Sequence, residues 1–282
     1  MKRKRILLWI IGLLITLLAA VYQKVTGPTY PKKTSVTLNG KEYKLKLLRS
    51  HGGEDDATIS LNIDDTDVKA NLMWKLFPPK ETEPWNNTEF TISKEKNETV
   101  LTAKLPHQPP AGKIMYYISL TDKNGTKDLF KEKPIVIRFK GAVPLYILIP
   151  HIFFMFFAMF LATVSGLFAA FKISQFKRYA NITFVLLILG GLILGPIVQK
   201  FAFLEYWAGV PFGWDLTDNK VLIAFIAWLF AFILNIEKEN KLSVIIASVV
   251  TIIIFSIPHS MYGSELNRET GKVIQGFIQL YF

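Results

Sequence analysis

Two histidines stand at the ends of apolar runs, His151 in Ile149-Pro150-His151-Ile152-Phe153 and His259 in Ile257-Pro258-His259-Ser260. Between them, at 206–220, lies a stretch holding Trp207, Trp214, Asp215 and Asp218, bounded by Gly209, Pro211 and Gly213. These residue types have a shared chemistry. Neutral imidazoles ligate metals, indole rings stack on flat ligands, and carboxylates orient loops or meet cations. The chain has no cysteine, which excludes disulfides, zinc–thiolate sites and Cys-X-X-Cys-His haem attachment. Any metal or haem must therefore be held by histidine, and His151 and His259 are the candidate metal ligands within the apolar part of the chain.

The elements that would position these residues are apolar. Residues 143–258 are mostly Ile, Leu, Phe, Val and Ala, and they divide into runs at 145–171, 181–198, 221–236 and 242–257. About 20 apolar residues cross a hydrocarbon core, and the last two runs must extend into their flanks to do so. A further run at 6–22 follows Lys2-Arg3-Lys4-Arg5. It has a poor small-residue cleavage site and reads as an uncleaved helix, not as a signal peptide. The net charge of +11 comes from basic residues that are scattered or flank these runs. That pattern points to membrane lipid as the partner and away from nucleic acid.

Residues 28–142 are polar and follow strand chemistry. Short β-branched or aromatic runs at 35–38, 42–48, 58–63, 68–76, 89–93, 99–105, 113–120 and 135–139 are separated by Asn39-Gly40, Gly52-Gly53, Pro78-Pro79, Pro109-Pro110 and Asn124-Gly125. Such spacing predicts a β-sandwich of immunoglobulin or fibronectin type III kind, with Trp74, Trp85, Tyr116 and Tyr117 in its core. His51 and His107 are expected in solvated loops. Asp55, Asp56, Asp64, Asp65 and Asp67 fit no calcium-loop spacing and are expected to form a solvated acidic face.

The fold class is thus a membrane α-helical protein with five transmembrane helices plus an all-β sandwich extracytoplasmic domain. Its parts are a basic N-terminus and first helix at 1–27, the sandwich at 28–142, four helices at 143–258 with an outer Trp-rich loop at 199–220, and an outer tail at 259–282. Lysine and arginine at the N-terminus, at 172–178 and at 237–241 place those turns in the cytoplasm, by the positive-inside rule. Both histidines and the Trp loop then share the outer side of a bacterial inner membrane.

This arrangement resembles the haem-handling proteins of cytochrome c assembly, with their Trp-rich "WWD" loop. The resemblance covers about 145–265 and rests on His151-Ile152-Phe153, on Trp207-Ala208-Gly209 through Trp214-Asp215, and on His259-Ser260-Met261-Tyr262-Gly263. It implies haem with His151 and His259 as axial ligands, walled by Trp207 and Trp214, with Asp215 and Asp218 in the loop that meets it. The chain departs from the family: one Trp is missing, the loop is longer by one, and Leu216-Thr217-Asp218 replaces Pro-Lys-Glu.

Two function classes follow. One is a haem-binding membrane protein in haem delivery, cytochrome assembly or electron transfer. The other is a non-catalytic membrane-anchored scaffold that binds an envelope protein partner through its β-sandwich. No nucleophile, acid–base pair or phosphate loop argues for an enzyme. The discriminator is whether His151 and His259 converge beside the Trp loop.

Overall fold

The structure is a computed structural model that describes residues 2–95, 98–259 and 264–275. It divides into a helical unit, Met1–Pro28 with Val143–Ser264 and Gln275–Phe282, and a β unit, Thr29–Ala142 with Glu265–Ile274. The Ser260-Met261-Tyr262-Gly263 segment of the resemblance lies outside the described residues.

In the helical unit, α1 spans Lys2–Thr26 and α2 spans Leu145–Ala170. Next, α3 (Phe176–Leu187), a π-helical segment (Ile188–Leu194) and α4 (Gly195–Phe203) run on as one 28-residue helix. They are followed by α5 (Leu216–Leu234) and the shorter α6 (Lys241–Ser256). Among the described residues, four helices are long and apolar enough to cross a membrane: α1, α2, the continuous Phe176–Phe203 and α5. At 1.5 Å per residue, α6 with its 16 residues reaches only about 24 Å.

The helices bury small residues and turn large ones outward. Ala158, Ala162 and Gly166 lie four apart on α2, and all but Gly166 are fully enclosed hydrophobics of the bundle core. A Cβ at Gly166 would overlap the Ser248 side chain of α6, so the two backbones approach as closely as glycine allows. On α1, a Cβ at Gly12 would meet Val164 Cγ2 at 2.8 Å. Trp228 Nε1 donates to Thr251 Oγ1 at 2.7 Å and links α5 to α6. Meanwhile Leu18, Phe230 and Leu242 are each more than 60% exposed, an outward surface suited to lipid and not to water.

Contacts identify the two ends of the bundle. Lys4 Nζ lies 4.8 Å from the Phe171 ring, Lys241 Nζ lies 5.9 Å from the Phe176 ring, and Lys177 Nζ donates to Ile236 O at 3.2 Å. The start of α1, both sides of the α2–α3 turn and both sides of the α5–α6 turn therefore share one basic end. Asn235 closes the second of these turns through Ala231 O, Asn240 O and Ser243 Oγ.

Alternation drives the β unit. β1 (Lys32–Leu38) and β2 (Lys41–Leu47) pair antiparallel, burying Val36, Leu38, Tyr43, Leu45 and Leu47 on one face and exposing lysines on the other. Their turn is Asn39-Gly40 with φ of 49° and 83°, the left-handed pair that an Asn-Gly hairpin uses. β4 (Ala57–Leu61), β8 (Glu98–Leu105) and β7 (Thr91–Glu95) form one sheet. A larger sheet runs β3 (Ser50–Gly52), β11 (Ile135–Lys140), β9 (Lys113–Asp122), β5 (Lys69–Phe77), β6 (Asn86–Glu89), with β10 (Gly125–Leu129) also on β9. All three sheets share one apolar core.

The run expected as one strand at 89–93 is divided. β6 pairs with β5 and β7 with β8, and at the break Phe90 N bonds Ala70 O at 3.0 Å. Tyr116 and Tyr117 are buried, but Trp74 and Trp85 are only partly so. The Trp74 indole N–H needs an acceptor and finds Thr88 Oγ1 at 3.1 Å, which keeps it at the core's rim. His51 and His107 are not simply solvated, since both rings pack edge-on against Phe139. Asp64 and Asp65 are likewise not a free acidic face. They receive Lys41, Tyr43 and Asn39 and so brace the first hairpin.

The tail adds to the β unit. β12 (Ser264–Leu266) and β13 (Val273–Gln275) form a hairpin. Lys113 bonds Glu265 at 2.9 Å, and Arg268 grips Glu83 through two nitrogens at 2.9 and 3.1 Å.

Candidate functional site

The loop expected at 199–220 is shorter, because α4 continues to Phe203 and α5 begins at Leu216. Asp215 explains the early start. Its carboxylate accepts from the Thr217 and Asp218 amides at 2.8 and 3.2 Å, capping helix N–H groups that have no intrahelical partner. Asp218, inside the first turn, reaches back to accept from Ala208 N at 2.6 Å. Asn219 Oδ1 accepts from Val210 N at 2.8 Å, and Trp207 Nε1 donates to Val210 O at 3.1 Å.

The loop is thus folded down onto the start of α5. Gly209 is at its tightest point, where a Cβ would meet Asp218 Cβ at 2.7 Å and Asn219 Oδ1 at 2.8 Å. Asp215 and Asp218 are buried in this work, whereas the Trp214 side chain is 75% exposed. Outside the helices, burial and then the nearby Asp215 carboxylate raise the pKa of Glu205 above its ordinary value.

His151 lies nearly two turns into α2 and is held by the π segment. Its Nδ1 is 2.9 Å from Gly190 O. Gly190 and Gly191 lack the Cβ atoms that would strike Met155 on one side and Val221 of α5 on the other. The π-helical segment, a rare conformation that inserts one extra residue per turn, therefore lies between His151 and the residue next to Lys220.

At the end of α6, Ile257 leaves helical conformation and Pro258 follows, so the last carbonyls of the helix have no donors of their own. Two side chains supply them. Lys220 Nζ donates to Ile257 O at 2.8 Å, Pro258 O at 3.4 Å and His259 Nδ1 at 3.3 Å. Gln23 Nε2, from α1, contacts Phe255 O at 2.8 Å, Ile257 O at 3.2 Å and His259 Nδ1 at 2.9 Å. A cation at a helix C-terminus is favoured by the helix dipole, which helps a lysine only 2% exposed to remain there.

His259 is exposed as a residue, but its Nδ1 faces inward onto these two donors, and that is where its charge would be felt. Burial, then the Lys220 cation and then His151 push its pKa down to about 4. Gly190 O meets His151, Gly191 packs on Val221, and the neighbouring Lys220 reaches His259, so both imidazoles lie at one end of the bundle, opposite the basic end.

Each sequence-derived site residue can now be placed. His151 and His259 share one end with the loop of Trp207, Trp214, Asp215 and Asp218. The loop carboxylates are committed to backbone amides, and among the described residues no group of three His, Asp or Glu side chains could hold a metal ion. Lys220, Gln23, Asn219 and Gly190 complete the cluster and carried no assigned role in the sequence. Lys220 abuts an apolar run, where a lysine ordinarily reads as an interfacial flank. Only tertiary packing turns it inward.

A haem held by both histidines fits these residues at one end only. His151 is arranged as an axial ligand is, with Nδ1 against a carbonyl and Nε2 left over. His259 is not. Its Nδ1 lies against the side chains of Lys220 and Gln23 and against no carbonyl.

Comparison with family models, with curated proteins and with solved structures finds no match.

Proposed function

We propose that the chain is a membrane-anchored, partner-binding subunit of the bacterial inner membrane. In this reading α6 joins the four longer helices as a fifth span, with the basic end cytoplasmic. The β unit is then an extracytoplasmic sandwich of immunoglobulin or fibronectin type III kind, which presents itself to an envelope protein. One observation carries the reading. The carboxylates the sequence offers for a cofactor, Asp215 and Asp218, are spent on the loop itself, and His259 Nδ1 lies against Lys220 and Gln23. Among the described residues, the β unit by contrast leaves β7 at the edge of its sheet, where Ile92 is 57% exposed. Such an edge is a template for pairing with another chain. The likeness to haem-handling proteins is then one of layout.

A second reading is favoured by the contact between His151 Nδ1 and Gly190 O. Here His151 alone holds a haem at the outer end of the bundle. One preparation separates the readings. The protein is expressed with haem available, purified in mild detergent, and its visible spectrum recorded oxidised and reduced. A photo-crosslinking residue at Ile92 is used in parallel in intact cells. Colourless protein with one discrete Ile92 adduct is expected. A five-coordinate haem spectrum lost in His151→Ala establishes the second reading in its place.

A further inference from the structure

Lys220 has three hydrogens on Nζ and no lone pair. Its contacts to Ile257 O, Pro258 O and His259 Nδ1 are therefore all donated, and they use every hydrogen it has. Gln23 is fixed in the same sense. Two carbonyls, Phe255 O and Ile257 O, lie against one atom of its amide. That atom must be the nitrogen, since the amide oxygen would be repelled by both. The group 2.9 Å from His259 Nδ1 is then also a donor. Two donors directed at one ring nitrogen require a lone pair there. The neutral His259 ring accordingly carries its proton on Nε2.

His151 has the reverse arrangement. A carbonyl can only accept, so the 2.9 Å contact to Gly190 O requires the proton on Nδ1 and leaves the lone pair on Nε2. The two rings face one end of the bundle with opposite polarity.

We infer that Lys220, seconded by Gln23, is a positioning and specificity-determining residue that holds His259 as an Nε2–H donor. The pair then presents opposite polarity, a lone pair on His151 Nε2 and a hydrogen on His259 Nε2. It does not offer two lone pairs to a metal. A lysine at this position selects against two-histidine coordination without touching the metal.

Two readouts test this on the full chain in detergent. Nitrogen-15 NMR of histidine-labelled protein should show, among the signals of its four histidines, an Nε2-protonated ring lost in His259→Gln and an Nδ1-protonated ring lost in His151→Gln. In the double variant Gln23→Leu/Lys220→Met, which removes both donors, the His259 pattern should change to Nδ1–H or to a mixture. Donors that merely stabilise the bundle would, on removal, lower thermal stability and leave the tautomer as it was, which would overturn the proposal. In the second readout, haemin is added to wild type and to the Gln23→Leu/Lys220→Met variant. Wild type should give no six-coordinate low-spin spectrum, and the variant should bind haemin at least tenfold more tightly and through His259. A low-spin spectrum in wild type that His259→Gln removes would overturn the assignment, as would an Nδ1–H signal at His259. If the double variant fails to fold, the wild-type tautomers decide the matter alone. Neither result depends on whether Ile92 finds a partner.

Discussion

At the level of single residues, the end of the bundle opposite the basic turns is a problem in donor and acceptor accounting. Pro258 ends α6 and exposes carbonyls that would be costly to leave unpaired in an apolar setting. Gln23 and Lys220 pair them and, in doing so, set the proton of His259. The same contacts make a pH prediction. The folded His259 has its pKa lowered to about 4, against about 6.5 for an unperturbed histidine. Between those values the unfolded chain binds a proton that the folded chain refuses, so stability falls as pH drops from about 6.5 towards about 4 and is level above that window. Thermal unfolding in detergent at pH 7.5 and pH 5 should show lower stability at pH 5. His259→Gln, which keeps an acceptor and cannot titrate, should reduce the difference.

Among the elements, the contact of α2 with α6 matters most for the helical unit. Helices in lipid gain little from hydrophobic burial against each other, so small residues that permit close backbone approach carry the association. Ala158, Ala162 and Gly166 supply that face, and Ser248 lies against Gly166. Gly166→Leu should force the helices apart and cost about 1–3 kcal/mol by overpacking. It should be read as a lower unfolding midpoint in detergent, with the exposed Ile246→Leu as an unaffected control. The π segment is the other informative element. It delivers Gly190 O to His151, and neither its position nor its glycines follow any helical period in the sequence.

For the molecule as a whole, the prediction concerns sidedness. The chain contains no cysteine, so each introduced one is a unique reporter. In the proposed topology, Phe212→Cys in the loop and Lys104→Cys in the β unit should react with an impermeant maleimide on spheroplasts. Lys238→Cys, at the basic end, should react only after permeabilisation. Labelling of Lys238→Cys in intact spheroplasts would reverse the orientation.

Local chemistry accounts for what was legible in the sequence. Alternation and Asn-Gly turns located most strands, because side-chain period and left-handed φ are properties of a few neighbouring residues. Apolar length located the helices, because the run itself states how much surface must leave water. The helix ends were misjudged for the same reason. Polar residues such as Asp215 and Asp218 look like loop until their carboxylates are seen capping and clasping backbone amides. The division of 89–93 between two sheets, the tail hairpin on the β unit and the inward turn of Lys220 depend on partners far away in the chain. Both histidines were visible as candidates from their types and positions. Their opposite proton assignments were decided only by tertiary structure, since a ring's tautomer is set by the atoms folded against it.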